Sequence, residues 1–412
     1  MRPLTFILPL LALAAPLATA PLSAEPGLPD DMAIGRALDE HPSVIAARAR
    51  TDAARARANG LRQGPHEFTF SGSYIRRSID REGKFNEYDA QVSRAIRLPG
   101  KGRLDREIGQ FGIEAAENLA EDARHQAALL LAAHWFDWLS ASAQARVDAA
   151  AVTNYEKALA AVTRRKELRD AAQLDVDQAR AALAAARLAA QQSSGLAALA
   201  RTRLATHFPA LPLPVEAPEV PLPDIAEARL SQLRDQVIAN SHEIAAAEAE
   251  ARRMAALADR TGKDRLADPS IGLRVFSERG GAERGAGVVF SVPLGGSHRK
   301  ALAEEAGASA SAARAEEQLA RWSVQETADA DATEARYRLA AWHRARETVE
   351  AQMAALGKLR RGHELGEIDL ADLLLGERMV HDAFRIEAAA RTEALRAITK
   401  LRIDSHELWL AD

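Results

Sequence analysis

The sequence predicts a mainly helical protein of two similar halves, each of which inserts a β-hairpin among long helices. Three observations support this fold class. The same order of segments occurs twice, at an offset of roughly 200 residues, which is the pattern of an internal repeat. Short segments that alternate apolar and polar residues follow the first helix of each half, as half-exposed strands do. Long segments rich in alanine and charge close each half, and they exceed the usual length of a globular helix.

The composition favours close packing of helices and argues against a general affinity for nucleic acid. Hydrophobic residues make up 47% of the 412 residues but aromatic residues only 5%, and alanine supplies much of the difference. Such a chain packs its helices through small side chains. The net charge of −4 creates no field that would attract nucleic acid, so we expect no nucleic-acid partner.

Residues 1–24 are predicted to be a secretory signal peptide. Arg2 precedes an apolar stretch, and small residues follow at 18–20 and 23–24. The chain has no cysteine, so an exported form would have no disulfide and no lipidated N-terminal cysteine. Beyond residue 24 no run of 18 apolar residues occurs, and we expect no membrane-spanning helix.

A proline-rich linker, residues 208–223, separates the two halves, which are residues 25–207 and 224–412. Its six prolines remove backbone donors and fix φ, so the linker should be extended. In residues 179–191 alanine occurs on several helix faces, which suits a helix that contacts neighbours on both sides. We expect helices at 30–62, 103–166, 172–207, 224–265, 298–361 and 367–408.

Each half also contains two predicted strands joined by a polar loop. Phe68, Phe70 and Tyr74 share one face of the first strand, and small polar residues occupy the other. The strands are long enough to cross a bilayer when tilted. Four strands cannot close a barrel, so in a membrane several chains would share one; the alternative is a pair of soluble hairpins packed on helices. The predicted strands are 67–75, 88–98, 269–277 and 285–294, with loops at 78–86 and 279–284.

A glycine turn follows the second strand of each half. The first copy, LPGKGR at 98–103, resembles a phosphate-binding loop but has Gly102 where that motif needs Ser or Thr, and Ala95 where it needs Gly. The second copy, LGGSHR at 294–299, keeps the glycine and the final arginine but lacks the lysine. We therefore predict two strand-to-helix joints, formed by Gly100, Gly102, Arg103, Gly295, Gly296 and Arg299.

Four features in this order resemble the TolC-type outer-membrane efflux proteins. The helix opening A-L-x-x-H-P-x-V-x-A-A spans residues 37–47. A strand followed by L-x-G-x-x-R ends at Arg103 and again at Arg299. The motif D-V-x-x-A-R begins at Asp175, and its counterpart G-x-x-x-x-x-D-L-L spans residues 366–374. The similarity covers nearly the whole chain after residue 24. It rests on the order and the duplication of the motifs rather than on any single motif.

The resemblance implies a homotrimer, in which three chains form a 12-strand barrel in the outer membrane and an α-helical tunnel across the periplasm. Such proteins contact outer-membrane lipid and serve as exit ducts of tripartite pumps. Their partners are a periplasmic adaptor and an inner-membrane transporter, here expected to be of the resistance-nodulation-division type. They are not enzymes and use no cofactor.

The resemblance also places the periplasmic entrance at two helical tips, residues 164–178 and 359–375. Asp175 matches an acid of the family's closing network, Asp372 matches an acid of its entrance ring, and His363 falls on an aromatic gate position. Asp369 is an alternative ring former one turn away, while a solvated helix face is the simpler explanation of these acids. The chain departs from the family's pattern at Leu375, Ile368 and Arg169, so the detailed gate does not carry over.

Basic residues beside the tips are candidates for contact with an adaptor. The alternative is ordinary compensation of a helix C-terminus by positive charge. The candidates are Arg164, Arg165, Lys166, Arg360 and Arg361.

No motif supports a catalytic or metal site. None of the 11 histidines lies four residues from another, and the HEL at 363–365 lacks the second histidine of H-E-x-x-H. The compact length and the short glycine turn resemble the heavy-metal (CzcC-like) branch, so heavy-metal cations are the expected substrates, with drugs or type I secretion as the alternative. A different class of protein also remains open, namely an exported soluble coiled-coil scaffold or adaptor.

Overall fold

The computed structural model describes residues 26–410, so the expected signal peptide, residues 1–24, lies outside the described residues. Eight α-helices and four strands are found in this range. The helices are α1 Asp31–Asp39, α2 Pro42–Gln63, α3 Lys101–Glu167, α4 Gln173–His207, α5 Glu227–Ala239, α6 His242–Lys263, α7 Ser297–Glu364 and α8 Leu370–Asp404. The strands are β1 Phe68–Ile79, β2 Gly83–Ala95, β3 Ser270–Glu278 and β4 Glu283–Ser291.

The first helix of each half is broken in two, so the prediction of continuous helices at 30–62 and 224–265 is wrong. Pro42 starts α2, because a proline is tolerated at the first position of a helix and not in its interior. In the second half Ser241 begins α6, and its Oγ accepts a hydrogen bond from the Ile244 N–H at 3.2 Å. The repeated motif that resembles a helix opening is therefore a helix break followed by a new N-cap.

Two long helical hairpins dominate the molecule. α3 contains 67 residues and α7 contains 68, which corresponds to a length of about 100 Å each. α4 returns along α3, and α8 returns along α7. None of the helices within residues 26–410 is both long and apolar enough to cross a membrane.

The four strands form one antiparallel sheet in the order β1-β2-β3-β4. Since β2 pairs with β3, the hairpins of the two halves are continuous with each other. The first hairpin is longer than expected, because Ile79 pairs with Gly83 and leaves only residues 80–82 in the turn. The predicted loop at 78–86 is wrong to that extent, because residues 78–79 belong to β1 and residues 83–86 belong to β2. The chain reverses through Arg81, which has a φ of +69°.

One face of this sheet is apolar and exposed. Phe70 and Tyr74 of β1 lie in register with Val92 and Tyr88 of β2, and Val92 lies in register with Leu273 of β3. Phe70 and Val288 keep 72% and 68% of their surface accessible, so neither packs on the helices. The opposite face is mostly polar, and its large apolar residues are Ile75, Ile79, Phe85, Phe276 and Val289. Hairpins packed on helices would bury this apolar face, and the structure contradicts that alternative.

The main core lies at mid-length of the helices and includes the linker. Trp135 of α3 is buried, and its indole N–H donates to the carbonyl of Gly27 at 2.8 Å. Phe208, Leu211 and Val220 place the linker against this core. Residues 208–223 contain neither helix nor strand, as the prolines lead one to expect.

Candidate functional site

The first strand-to-helix joint requires a glycine at one position. Gly100 is the N-cap of α3 and has a φ of +83°, a conformation that other residues resist. Gly102 already lies inside α3. A Cβ there would be 3.3 Å from the Arg97 guanidinium, a tight contact with a flexible side chain.

The second joint requires glycine for a different reason. A Cβ on Gly295 would lie 2.6 Å from the carbonyl oxygen of Arg265, so the backbones approach too closely for any side chain. Gly296 is extended, with a φ of −157°, and faces open space. Of the four glycines, Gly100 and Gly295 are therefore the ones whose substitution the local geometry resists.

The two arginines that end the repeated motif have different contacts. Arg103 is exposed and pairs with Glu107, one turn along α3, at 2.6 Å. Arg299 donates to the backbone carbonyl of Asp264 at 2.8 Å and so holds the end of α6. The shared sequence position does not give a shared role.

Lys101, which the sequence comparison set aside, is the buried centre of the first joint. Only 1% of its side chain is exposed. Its Nζ lies 2.8 Å from an oxygen of Asp264 and 2.8 Å from one of Asp268, and it donates to the carbonyl of Leu266 at 2.7 Å. The lysine thus connects the start of α3 to the segment between α6 and β3.

Further charges extend this contact into a network between the two halves. Asp105 on α3 pairs with Arg97 at 3.3 Å and with Arg260 on α6 at 2.7 Å. His66, also buried, lies 3.0 Å from the second oxygen of Asp268. The network is formed by His66, Arg97, Lys101, Asp105, Arg260, Asp264 and Asp268, and we call it the joint network.

The electrostatics of Asp268 show how strongly the joint network holds a carboxylate. Burial raises its pKa, but hydrogen bonds from Lys101, the Leu98 N–H and His66 outweigh this effect and lower the pKa to about 2. The pKa of Asp264 is also lowered, because Arg260 and Lys101 outweigh its burial. Both carboxylates are therefore ionised at neutral pH and balance the buried lysine.

A second charged cluster lies where α3 meets the end of α8. His125 Nε2 is 2.8 Å from Asp404, and Lys400 Nζ lies 3.1 Å from Asp404 and 2.5 Å from Asp331 of α7. Burial lowers the pKa of His125, but Asp122 and Asp404 outweigh it and raise the pKa to about 9. Burial and the neighbouring Asp404 raise the pKa of Asp331. Sequence reasoning missed this cluster, whose members come from three distant helices.

The two tips have the same backbone geometry. Leu168 and Leu365 end the long helices, and the next residues, Arg169 and Gly366, have φ values of +66° and +79°. In the first tip the Asp170 N–H donates to the carbonyl of Arg165 at 2.8 Å, and the second tip has the equivalent bond at 3.0 Å. Arg169 therefore occupies a left-handed position where glycine is the favourable residue.

Two of the candidate entrance acids cap helices. Asp175 accepts a hydrogen bond from the Ala172 N–H at 2.8 Å at the start of α4. Asp369 is the N-cap of α8 and accepts from the Asp372 N–H at 2.8 Å. Asp372 itself is exposed. The structure thus gives Asp175 and Asp369 a local structural role, whereas the Asp372 carboxylate caps no helix end.

His363 has both ring nitrogens engaged. Arg165 donates to Nε2 at 2.9 Å, so the proton lies on Nδ1, which donates to the Ile368 carbonyl at 2.9 Å. This contact joins the two tips, and it leaves no lone pair for a cation. Across residues 26–410 no group of three or more His, Asp or Glu residues is arranged to hold a metal ion.

The basic candidates for adaptor contact all have partners within their own tips. Arg165 pairs with Asp170 at 3.0 Å and Arg360 with Glu377 at 2.7 Å. Arg164 and Arg361 pair with glutamates three residues on, and Lys166 bonds to Gln173. The two tips pack on each other through Val162, Val176 and Leu370. They form a single end of the molecule with its charges largely paired.

Comparison with solved structures identifies the fold. The outer membrane channel CmeC of Campylobacter jejuni is 15% identical, covers 93% of this chain and 86% of its own, and has a TM-score of 0.67. The channel OprN is 20% identical over 92% of this chain and 90% of its own, with a TM-score of 0.68. VceC of Vibrio cholerae is 17% identical over 91% and 95%, also at 0.68.

This chain has the outer-membrane channel fold. No protein-family model and no curated protein matches it. The predicted fold class, mainly helical with a small antiparallel sheet, is confirmed by the structure and by these similarities. Within the channel fold, the joint network lies between sheet and helices and the two tips lie at the far end of the long hairpins.

Proposed function

We propose that this protein is the outer-membrane exit duct of a tripartite efflux system and works as a homotrimer. The observation that carries the proposal is the four-stranded sheet, which has an exposed apolar face and is attached to paired helices about 100 Å long. A face of this kind suits the hydrocarbon of a membrane, and the helices suit a tunnel across the periplasm. Solved structures of the same fold are outer-membrane channels.

The edges of the sheet support a trimer. β1 and β4 each pair with one strand only in the chain described, so each has an edge with unpaired backbone groups. Such edges need a partner. If β1 of one copy pairs with β4 of the next, three copies form a barrel of 12 strands, above the lower limit of about eight.

The flanks of the helical hairpins support the same assembly. α4 exposes Leu188 and Leu196, and α7 exposes Trp322 and Tyr337, each with more than half of its side chain accessible. Single exposed apolar residues are common, but these two rows lie on the helices at opposite flanks of the pair of hairpins. In a closed tunnel α4 of one copy would pack against α7 of the next, and these exposed apolar residues would then be covered.

The partners we propose are a periplasmic adaptor and an inner-membrane transporter of the resistance-nodulation-division type. The entrance would lie at the tips, with Asp175, His363, Asp369 and Asp372 near it. Arg164, Arg165, Lys166, Arg360 and Arg361 would contact the adaptor. This assignment rests on the sequence resemblance and on the fold. No catalytic role or cofactor is part of the proposal, because the duct follows a pump that supplies the energy.

For the substrate we propose heavy-metal cations, with drugs or a type I secretion substrate as the alternative. What supports the metal assignment is the resemblance of the compact chain and its short joint to that branch. Both ring nitrogens of His363 are hydrogen-bonded, and Asp175 and Asp369 cap helices. These residues would therefore let a cation pass and would not retain it. Deleting the gene should lower tolerance of divalent metals; unchanged metal tolerance with new drug sensitivity would select the alternative.

Fractionation of cells followed by native mass measurement tests the duct itself. We expect the protein in the outer-membrane fraction with the mass of three chains. A soluble periplasmic monomer would instead favour the exported scaffold or adaptor. A transport assay of the purified trimer in vesicles gives the functional readout.

A further inference from the structure

The outer end of the sheet, next to the two hairpin turns, carries an unusual arrangement of charge. Residues alternate between faces along each strand, so the register assigns every side chain to the apolar or the polar face. Toward the two hairpin turns, the apolar face carries three basic residues, of which Arg284 is level with Tyr88 in the register. These are Arg76 on β1, Lys84 on β2 and Arg284 on β4, and we call them the cationic rim.

A pair of tyrosines marks the border between the apolar rows and the cationic rim. Tyr74 and Tyr88 are cross-strand partners whose ring centroids are 5.3 Å apart. The Tyr74 hydroxyl donates to Asn86 at 2.9 Å, directly beside Arg76 in the register. Amphipathic rings of this kind are enriched at the level of lipid headgroups. The cationic rim therefore begins where a surrounding membrane would change from hydrocarbon to headgroups.

Cations on the two faces differ in their partners. On the polar face Arg77 pairs with Glu87 at 3.1 Å and Arg274 pairs with Asp89. At the turns Arg279 lies near both Glu82 and Glu283. Within the described chain no carboxylate lies within ion-pair distance of Arg76, Lys84 or Arg284. Asp80 lies beyond them in the turn.

Arg94, at the opposite end of the apolar face, provides an internal comparison. It lies 5.0 Å above the Phe68 ring and donates to the His66 carbonyl at 2.7 Å, so its charge has partners within the protein. Arg284 donates only to the Gly281 carbonyl at 3.2 Å. Arg76 and Lys84 are exposed. The outer cations, unlike Arg94, are thus available to groups outside the chain.

We propose that the cationic rim binds the phosphate groups of anionic lipids that surround the outer end of the sheet. This inference rests on the proposed function, because it requires the apolar face to lie in a membrane. Basic side chains next to an anionic lipid surface attract its headgroups at close range. Arginine suits phosphate because its guanidinium donates two parallel hydrogen bonds.

The test measures lipid preference in the purified full-length protein. The probe is a mixture of phosphatidylglycerol and phosphatidylcholine in detergent, and native mass spectrometry counts the lipids that each protein retains. Wild type should prefer phosphatidylglycerol. The variant R76Q/K84Q/R284Q should lose that preference, on the order of fivefold for each cation removed. Equal preference in the variant and the wild type would overturn the proposal.

A matched control removes the same charge elsewhere. R344Q/R346Q/R378Q changes three exposed arginines on α7 and α8, where exposed ion pairs contribute little. It should keep the preference of wild type, and its loss would show that net charge alone is responsible. Excess inorganic phosphate should not displace the lipid, since the acyl chains also contact the apolar face; displacement would identify free phosphate as the ligand instead.

The same samples separate this inference from the proposed function. A wild type that is trimeric, enters phosphatidylcholine vesicles and shows no lipid preference contradicts the cationic rim alone. A wild type that stays monomeric and does not enter vesicles contradicts both.

Discussion

Lys101 and Asp268 form a buried ion pair at 2.8 Å although 167 residues separate them in the chain. One lies at the start of α3 and the other just before β3, so the pair connects the first half of the chain to the second where the sheet meets the helices. The strand-to-helix joint is therefore held by charge as well as shaped by glycine.

Replacing Lys101 with Met should destabilise the protein by about 3 kcal/mol, because Asp264 and Asp268 would lose the cation that balances them. Denaturant unfolding of the purified protein measures the change. Lys300, exposed in the first turn of α7 and 3.6 Å from Glu304, is the control, and K300M should change the stability by less than about 1 kcal/mol. Equal losses of stability in K101M and K300M would contradict a particular contribution of the buried ion pair.

The glycines of the joints should differ in their tolerance of substitution. Gly100→Ala and Gly295→Ala should lower the yield of folded protein, the first through its φ of +83° and the second through a contact of 2.6 Å with the Arg265 carbonyl. Gly296→Ala should be neutral because a Cβ there meets open space. Size-exclusion profiles of the three variants compare them, and an intolerant Gly296 would argue against this account of the joints.

Arg169→Gly should stabilise the first tip by about 1 kcal/mol, because a side chain in the left-handed conformation is strained and glycine is not. The reciprocal change Gly366→Arg in the second tip should destabilise by a similar amount. Thermal unfolding of both variants tests the pair. A destabilised R169G would mean that contacts of the Arg169 side chain outweigh the backbone strain.

Stability should fall as the pH rises from 6.5 to 9. The pKa of His125 is raised to about 9 by Asp122 and Asp404, against the lowering effect of its burial. A raised pKa stabilises the fold fully below the unfolded value of 6.5, and this contribution, about 3 kcal/mol, is lost as the pH passes through the folded value. In His125→Gln the unfolding free energy should depend less on pH across this range. An unchanged dependence on pH would show that His125 is not its cause.

The sequence predicts much of this fold because repeats and alternation leave local marks. The long helices, the glycine joints and the apolar rows of Phe68, Phe70 and Val288 follow from spacing alone. One error had a readable signal, because Pro42 marks the break before α2. The longer first hairpin had none of this kind, since Phe85 lies on the polar face of β2 and does not continue the apolar alternation.

The candidate site was less accessible to sequence reasoning, for a physical reason. Asp264 and Asp268, the partners of Lys101, lie 163 and 167 residues away in the chain, and no local sequence pattern indicates such a contact. The second joint has no matching lysine, so the repeat indicated no role for Lys101, whereas its burial and its ion pairs give it one in the first joint. Likewise, nothing in the spacing of His363 indicated that Arg165 and the Ile368 carbonyl would occupy both ring nitrogens.

Cross-linking between sheet edges tests the central claim most directly, because the chain has no cysteine of its own. We would pair a cysteine at Ser71 or Ser73 of β1 with one at Val289 or Ser291 of β4, all on the polar face, and oxidise the protein in its membrane. If three copies close the sheet, at least one pair should give a covalent trimer on a denaturing gel while the single-cysteine variants stay monomeric. Monomers from every pair, together with a native mass of one chain, would contradict the trimeric duct.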